Sequence, residues 1–548
     1  MLATVLSATV QGLDGTRVAV EIDLQRGLRT FHIVGLASLA VRESRERVEA
    51  ALQNSGFELP ERRLTVNLAP ADLPKEGSGF DLPIALGVLA ASGQCRASEL
   101  DGVCVLGELA LDGCLRPVRG VLPIAITMMR QGVRRFLVPA SNVDEARLVP
   151  DLEAMGCVTL AEAAARCGAV PRPNRRRSNG RGVSSGAVER SRSEAGSTRT
   201  TANPEPARGA ATAPEDGRPE LPNFSQVFGQ EVAKRALAIA AAGGHHVLLV
   251  GPPGVGKSML ARCLPGLLPP LAAVEALEVR QVLSVCGRHR EAASPSVVRP
   301  FRAPHHTLSV PGLVGGGRPL VPGEITLAHN GVLFLDELPE FPRFLLDQLR
   351  QPLEEGAIHI ARANQRIRYP ARFQLVAAMN PCPCGNWGHP KKVCRCAPGD
   401  VQRYQAKISG PILDRIDLRI EVGVPPAECV GTAPPETNKS NAELDDLRQR
   451  IAAARARQAT RYENLENVYC NAQTGPEQRR TLLRPRHEAA DFLRRAMTRW
   501  NLSVRAFDRA LAVARTIADL EGASDIDVQH VAEALQYRLQ RSDERPGA

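Results

Sequence analysis

His246-Val-Leu-Leu-Val250-Gly251-Pro-Pro-Gly254-Val-Gly256-Lys257-Ser258 is the stretch of this 548-residue sequence that decides its fold. An apolar run of strand length enters a glycine-rich turn, after which we expect a helix to begin near Lys257. The turn fits the pattern G-x-x-x-x-G-K-[ST], in which backbone N–H groups face phosphate oxygens, the lysine reaches the outer phosphates and the hydroxyl binds Mg²⁺. The expected nucleotide-binding residues are Gly251, Pro252, Pro253, Gly254, Val255, Gly256, Lys257 and Ser258.

A second apolar strand, Val332–Leu335, ends in two acidic residues about eighty positions further on. Asp336 is expected to hold Mg²⁺ beside Ser258, and Glu337 to orient or deprotonate the attacking water. Alone, this pattern is common in surface loops. Its place after a phosphate-binding turn favours the catalytic interpretation.

The composition limits what the whole chain can be. At roughly 150 residues per domain, its length predicts three or four folded units, and 43% hydrophobic and 23% charged residues are ordinary for a globular protein. No apolar run reaches the 18 residues that a membrane span needs, and the apolar N-terminus lacks a basic start. The odd number of scattered cysteines is typical of a reducing compartment, so we expect a cytoplasmic location.

We expect four regions and an α/β fold class. Residues 171–220 contain ten Arg, six acidic residues and no Leu, Ile, Met or aromatic residue, so residues 169–222 are expected to form a flexible linker. Residues 1–168 mix strand and helix patterns, as in an α+β domain. Residues 223–424 alternate strands with helices, which predicts a parallel-sheet core, and residues 425–548 are predicted to be all-helical.

Four cysteines lie close together within residues 380–398: Cys382, Cys384, Cys394 and Cys396. Four thiolates in a small loop suit tetrahedral Zn²⁺, although the C-x-C spacing is less usual than C-x2-C. His389 is an alternative ligand, and two disulfides or free thiols are alternatives to a metal. A zinc ion here would be structural. Another conceivable metal pair, His305 and His306, is disfavoured because adjacent residues on an extended chain point apart.

Three further polar residues complete the expected catalytic set. Asn380 ends the predicted strand 373–379 and can order the lytic water. Arg415 precedes the strand 418–422 and could reach a γ-phosphate on a neighbouring subunit. Arg505 lies early on a helix that could place its charge over the nucleotide. Each has an ordinary alternative. These are a strand cap for Asn380, an ion pair with Asp414 or Asp417 for Arg415, and a solvated helix face for Arg505.

Together with longer motifs, these residues resemble the magnesium-chelatase-like AAA+ ATPases of the YifB/ComM competence family. The resemblance rests on the phosphate loop, the strand before Asp336, and three motifs: residues 377–382, 409–417 and 514–520. It implies a ring, expected to be a hexamer, with Asn380 as sensor one, Arg415 as trans-acting arginine finger and Arg505 as sensor two. It further implies ATP-driven branch migration of DNA in recombination or natural transformation.

The resemblance also extends to the first region, which is similar to a Lon-protease-type domain. Aligned on the turns at 74–77 and 113–124, the nucleophile position falls on Gly79 and the lysine position on Leu122, so the Ser/Lys pair is missing. A rearranged pair of Ser78 and Lys75 is a conceivable alternative. A binding or assembly role is expected instead.

A predicted β-hairpin carries the expected DNA contacts, Arg362, Arg366 and Arg368. In related rings such hairpins face the central pore, where arginines could bind phosphates; the alternative is a solvated basic hairpin. Two other functions stay open. One is the ATPase subunit of a magnesium-porphyrin chelatase, for which the extra first domain is not expected, and the other is a protein-remodelling ATPase.

Overall fold

A computed structural model describes residues 1–171, 224, 227, 229–317, 320–362, 365–424, 437–465 and 468–538, apart from residues 37 and 76. The predicted linker therefore lies almost wholly outside the described residues. The described residues before and after it belong to one compact unit.

The first region is built on a seven-stranded mixed sheet of order β3-β4-β2-β1-β5-β8-β9. The long hairpin β1–β2 is antiparallel, as is the pair β2–β4, whereas the remaining pairs are parallel. Its strands are β1 Leu2–Gln11, β2 Asp14–Gln25, β3 Thr30–Val34, β4 Arg63–Ala69, β5 Val103–Val105, β6 Glu108–Leu109, β7 Leu115–Arg116, β8 Arg135–Pro139 and β9 Glu153–Cys157.

Six helices pack with this sheet: α1 Leu39–Arg42, α2 Ser44–Asn54, α3 Asp81–Ala91, α4 Val121–Arg130, α5 Val143–Ala146 and α6 Leu160–Arg166. The sequence pattern predicts a single helix over 41–53, but the structure divides this stretch at Glu43. The neighbouring Ser44 is buried and its hydroxyl bonds to the carboxylate of Asp81. Helix α3 is apolar on nearly all sides because it is buried on nearly all sides.

The central region contains a five-stranded sheet of order β11-β14-β17-β10-β18, in which every neighbouring pair is parallel. This confirms the parallel-sheet core. The strands of the region are β10 Val247–Val250, β11 Phe301–Arg302, β12 Gly315–Gly316, β13 Val321–Pro322, β14 Val332–Leu335, β15 Ala357–Arg362, β16 Gln365–Pro370, β17 Gln374–Met379 and β18 Leu418–Glu421.

Short helices surround this sheet: α7 Glu231–Gly243, α8 Lys257–Cys263, α9 Ala273–Val285, α10 His289–Ala292, α11 Val310–Val314, α12 Glu324–Leu327, α13 Arg343–Asp347, α14 Arg350–Glu355, α15 Pro398–Gln405 and α16 Gly410–Leu413. The glycine-rich segment between the two nucleotide motifs has the composition of a loop, but most of it lies in regular elements. It forms helices α11 and α12 and the strand pair β12–β13, which are held to the core through buried Leu313 and Ile325.

The last region is helical as predicted, with α17 Thr437–Arg461, α18 Pro476–Leu482, α19 His487–Arg499, α20 Val504–Glu521 and α21 Val528–Gln536. Helix α20 is buried over most of its length and packs against α7, α17 and α21. Helix α21 begins three residues later than the pattern predicts, after Asp527, whose N–H donates to His530 Nδ1 at 2.9 Å.

Candidate functional site

The phosphate loop lies between β10 and α8, where the sequence predicts it. Gly254 and Gly256 have φ angles of 81° and 94°, in the left-handed region that favours glycine. Apart from the two adjacent residues, no heavy atom of the described residues lies within 4 Å of where a Cβ at either position would be. The backbone of the loop is therefore open on this side, as close approach by a phosphate requires.

Lys257 ties the loop to the neighbouring strand. Its ammonium donates to the carbonyls of Gly251 at 2.6 Å and Pro252 at 2.7 Å and to Asn380 Oδ1 at 3.1 Å. Burial lowers the pKa of Lys257, and the two carboxylates that follow β14 oppose this shift. Asn380 thus lies within hydrogen-bond distance of the group that is expected to hold the outer phosphates.

The expected magnesium ligands also meet. Ser258 Oγ donates to Asp336 Oδ2 at 2.6 Å, although the two residues are 78 positions apart. They meet because β10, β14 and β17 are parallel, so that the residues following each strand lie at one edge of the sheet, here called the carboxyl edge. A hydroxyl and a carboxylate are ligands that Mg²⁺ prefers.

Glu337 stands beside this pair in a strained conformation. Its φ of 51° is unusual for a residue other than glycine, and such conformations cluster at functional sites. Its carboxylate is largely exposed and lies 3.9 Å from Nδ1 of His306. The sequence interpretation treated His306 only as a disfavoured metal ligand and missed this contact. Among the described residues, no group of three or more metal-ligating side chains includes His306.

The opposite, amino edge of the sheet borders a cavity of about 780 Å³. Residues that precede strands line it, such as His246 before β10 and Gly331 before β14. Arg415 and Arg505 both line this cavity, whereas no residue of the phosphate loop does. The structure thus brings these two arginines together, on the side of the sheet away from their own chain's phosphate loop.

Arg415 is 8% exposed, and its guanidinium donates to Pro411 O at 2.6 Å and forms an ion pair with Glu354. The pair is thus not with Asp414 or Asp417; Asp417 pairs with Arg509 at 2.5 Å. Burial favours a higher pKa for Asp417, but Arg509 and His245 hold this pKa well below its usual value.

Arg505 has a different environment, because it is exposed at the first turn of α20. The turn is capped by Ser503 Oγ, which accepts from the N–H of Ala506 at 3.2 Å. No hydrogen bond or ion pair of the Arg505 side chain is recorded within the described ranges. Its guanidinium is therefore presented to the cavity and to solvent.

The four cysteine sulfur atoms form one cluster, as predicted. All four lie within 4.8 Å of one another, and the separations among Cys382, Cys384 and Cys394 are 3.4–3.7 Å. Backbone N–H groups of Asn386 and Arg395 lower the pKa of Cys384 to about 6, because hydrogen bonds to the charged form favour it.

We name residues 380–398 the cysteine knuckle. His389 does not belong to the sulfur cluster, because its Nδ1 instead accepts from the N–H groups of Lys391 and Lys392, both at 3.0 Å. The knuckle also touches the phosphate loop. A Cβ added at Gly385 would lie only 2.6 Å from Pro253 Cδ, so the backbone of the knuckle lies directly against that proline. The cluster is therefore packed against the nucleotide site.

The basic hairpin β15–β16 has one buried and one exposed face. Arg366 and Arg368 lie on the exposed face with His359, which pairs directly with Arg368, whereas Tyr369 on the other face is 1% exposed. Arg362 pairs through its backbone with Gln365, and its side chain lies outside the described residues. The turn between β1 and β2 reaches this hairpin, since a Cβ at Gly12 would lie 2.9 Å from Ile367 Cγ2.

The first region shows no Ser78–Lys75 contact. The Ser78 hydroxyl bonds to Glu108, and the fully buried Lys75 ammonium bonds to the carbonyl of Pro70. The first region also contacts the core at α9, where the carbonyl of Ser284 accepts from the N–H of Gly120 at 3.0 Å. In the part of the chain that the structure describes, no helix combines the length and apolarity of a membrane span.

Three protein-family models match the chain. The model described as "Magnesium chelatase, subunit ChlI" covers residues 223–429, "Subunit ChlI of Mg-chelatase" covers residues 20–142, and "Magnesium chelatase, subunit ChlI C-terminal" covers residues 442–538. The matches fall on the central, first and last regions in turn.

Two relatives match almost end to end. The chain is 43% identical over 537 residues to the Competence protein ComM of Haemophilus influenzae, covering 98% of this chain and 97% of the relative. It is 41% identical over 539 residues to the uncharacterized protein YifB of Escherichia coli, with the same coverage. A magnesium-chelatase 38 kDa subunit of Cereibacter sphaeroides is 31% identical over 218 residues, which are 37% of this chain and 59% of that subunit.

Proposed function

The chain belongs to the YifB/ComM family of magnesium-chelatase-like AAA+ ATPases, and from this premise we propose that it hydrolyses ATP to move DNA strands in the cytoplasm. The observation that carries the ATPase part is the convergence of Lys257, Ser258, Asp336 and Asn380 at the carboxyl edge. These contacts join three separate strands into one site, and each group has a role in phosphoryl transfer.

In this proposal the residues divide the chemistry among them. Lys257 binds the outer phosphates, and Ser258 and Asp336 hold Mg²⁺, which neutralises phosphate charge when bound. Glu337 orients and deprotonates the attacking water from its exposed position beside His306. Asn380, which bonds to Lys257, orders the same water.

We propose that the subunits assemble into a hexameric ring. Arg415 and Arg505 line a cavity away from their own phosphate loop, so they are suited to a nucleotide held by a neighbour. Arginine charge supplied across a subunit boundary stabilises the transition state for γ-phosphate transfer. The ion pair with Glu354 keeps Arg415 oriented within its own chain.

The DNA part of the proposal rests on two features. The exposed face of the hairpin carries Arg366 and Arg368, with Arg362 at its tip, and the matching relative from Haemophilus is named a competence protein. Arginines on an exposed hairpin suit phosphate contacts without base readout. Branch migration in recombination or natural transformation is the activity we expect.

The test is ATPase activity with and without a four-way DNA junction, together with junction binding across a salt series. Duplex contacts predict a log–log slope of about −0.9 per phosphate neutralised. Changing Arg362, Arg366 and Arg368 together to Ala should reduce binding and stimulation, whereas deleting residues 171–220 should not. Loss of binding only in the deletion variant would place the DNA contact in the linker.

A chelatase subunit is the second candidate, favoured by the match to the 38 kDa subunit. The first region does not count against this function as expected from the sequence, because residues 20–142 themselves match a model described as a subunit of Mg-chelatase. A protein-remodelling ATPase is less favoured, since Ser78 and Lys75 are not in contact. Absence of DNA stimulation in an assembled, active preparation would favour the chelatase function.

We also propose that the sulfur cluster holds one structural Zn²⁺ through Cys382, Cys384, Cys394 and Cys396. Four sulfurs within 4.8 Å fit tetrahedral thiolate coordination. Purified protein should contain about one zinc per chain, and Cys394→Ser with Cys396→Ser should lower metal content and thermal stability. Replacing the exposed Cys114 by Ser is the matched control. Full stability after complete chelation would contradict the zinc site.

A further inference from the structure

We propose that the outer surface of the cysteine knuckle binds single-stranded DNA, with Trp387 stacking on a base and three basic side chains contacting phosphates. This inference rests on the proposed function, since it adds a second place at which a DNA motor holds its polymer. It concerns side chains to which the nucleotide chemistry and the metal cluster assign no role.

The aromatic part of the surface is Trp387. It is one of two tryptophans in the chain, and it is 48% exposed although tryptophan is usually buried. Val393, in the same loop, is 85% exposed. An exposed aromatic ring offers a stacking platform for an unpaired base of any identity, because every base has a π-face.

The charged part consists of Lys391, Lys392 and Arg395, which are all exposed. Residues 380–398 contain no acidic residue, and two of the chain's seven lysines lie in this short loop. Within the described residues, no ion pair is recorded for any of the three. Their charge is therefore available to an anionic partner, and a basic surface that includes an aromatic ring is typical of proteins that bind single strands.

The sulfur cluster itself fixes the surface. The N–H of Trp387 donates to Cys382 Sγ at 3.3 Å, and Arg395 stands between Cys394 and Cys396. His389 holds the two lysines by accepting from both of their N–H groups. The backbone of every proposed contact is thus anchored, which lowers the entropy lost on binding.

Charge decides between DNA and a second copy of the chain as the occupant. A protein surface would have to supply acidic groups against three cations, whereas a nucleic-acid backbone supplies an anion at every nucleotide. An unpaired strand is favoured over a duplex because only an unpaired base leaves a face free for Trp387.

Fluorescence offers a direct test, because the chain has only two tryptophans. In a Trp500→Phe protein, Trp387 is the sole tryptophan, and an oligo-dT strand should quench its emission. In the reciprocal Trp387→Phe protein, the same strand should leave the emission of Trp500 unchanged. Quenching of Trp500 alone, or no quenching while the strand binds, would overturn the stacking contact.

Affinity measured on full-length protein tests the charges. Lys391, Lys392 and Arg395 changed together to Ala should weaken oligo-dT binding at least about 10-fold and flatten the salt dependence by about 2 units of log–log slope. The matched control removes the same charge from the helical region through Arg480, Arg495 and Arg499, which are exposed, and should bind normally. Zinc content and basal ATPase activity are measured alongside to show that the knuckle is intact.

The outcomes separate this inference from the proposed function. If the native protein binds DNA and the knuckle variant binds equally well, the knuckle contact is wrong while the DNA motor stands. If the knuckle variant instead loses its oligomeric state, the surface is a subunit contact and the inference is wrong. If the native protein has ATPase activity but binds no DNA, the proposed function fails and this inference fails with it.

Discussion

The two edges of the central sheet differ in how complete they are within one chain. At the carboxyl edge, Lys257 bonds to Asn380 and Ser258 bonds to Asp336, so the groups expected to act on one nucleotide already contact each other. At the amino edge, Arg415 is paired with Glu354, and Arg505 has no recorded partner among the described residues. A single chain thus brings the expected phosphate-binding groups into contact at one edge, whereas at the other edge one arginine is paired within the chain and one, among the described residues, is not.

The largest effect is expected at the carboxyl edge. Lys257→Ala should abolish ATP binding and turnover, because it removes the ammonium aimed at the outer phosphates, whereas Glu337→Gln should bind ATP without hydrolysing it. Nucleotide binding by fluorescence and phosphate release measure the two steps. Lys234→Ala, a change on α7 of a half-buried lysine that pairs with Glu231 at 3.2 Å, is the control. Normal turnover by Glu337→Gln would remove Glu337 from water activation.

The next effect tests whether the amino edge serves a neighbour. If Arg415 acts as proposed, Arg415→Ala should reduce turnover by about 10³-fold or more, which is the size of effect that arginine fingers have. Mixed with inactive Glu337→Gln subunits, it should recover activity, since some boundaries then pair an intact Glu337 with an intact Arg415. Arg403→Ala, exposed and paired with Asp400, should be inert. If no mixing ratio exceeds the parents in verified rings, Arg415 acts within its own chain.

A smaller effect is expected for His306, which lies near Glu337. Because His306 Nδ1 is 3.9 Å from the Glu337 carboxylate, His306→Ala should lower kcat about 10-fold with little change in ATP affinity. His305→Ala is the matched control for loop packing, because the His305 ring lies against that of His306, with centroids 4.1 Å apart, while its Nδ1 bonds to Thr307 at 2.9 Å. Equal effects of the two changes would show that both act by disturbing the packing of the loop.

The smallest change in turnover is expected from Glu145→Gln, at the contact between the first region and α9. Burial raises the pKa of Glu145 to about 7, against 4.5 ordinarily. Below pH 4.5 the carboxyl is neutral whether folded or unfolded. As pH rises towards 7 the unfolded state loses its proton first, so stability falls.

Glu145→Gln should remove this decrease and raise the free energy of unfolding at pH 8 by about 3 kcal/mol. Denaturant melts of the two proteins at pH 5 and pH 8 measure the difference. Asp144→Asn, which changes an exposed neighbouring carboxylate, should leave the pH dependence as it is. An unchanged pH dependence in Glu145→Gln would show that the Glu145 carboxyl ionises alike in both states.

Sequence reasoning predicted the carboxyl edge well because its information is local. Each functional group there directly follows an apolar run of strand length, as Asp336 follows β14 and Asn380 follows β17, so a parallel sheet brings them together. The four cysteines are equally local, being only 14 positions apart at most.

The contacts at the amino edge were harder to predict because the charged residues that pair there come from elements far apart in the sequence. Nothing near Arg415 in the sequence indicates Glu354, which lies on α14, 61 positions earlier. Nearby Asp414 and Asp417 were the natural candidates, but Asp417 is taken by Arg509 from α20. Such pairings depend on how whole helices pack, and hydrophobic periodicity does not determine which charged side chains then meet.

The contact of Gly12 with the basic hairpin has a mechanical consequence. Because a Cβ at Gly12 would lie 2.9 Å from Ile367 Cγ2, the β1–β2 turn touches the hairpin without a gap. Strand β1 is paired with β2 along its full length, from Leu2 opposite Asp23 to Gln11 opposite Asp14, so a stiff ladder stands behind the turn. If a polymer pulls on Arg368 as proposed above, the first region would therefore resist displacement of the hairpin and act as its brace.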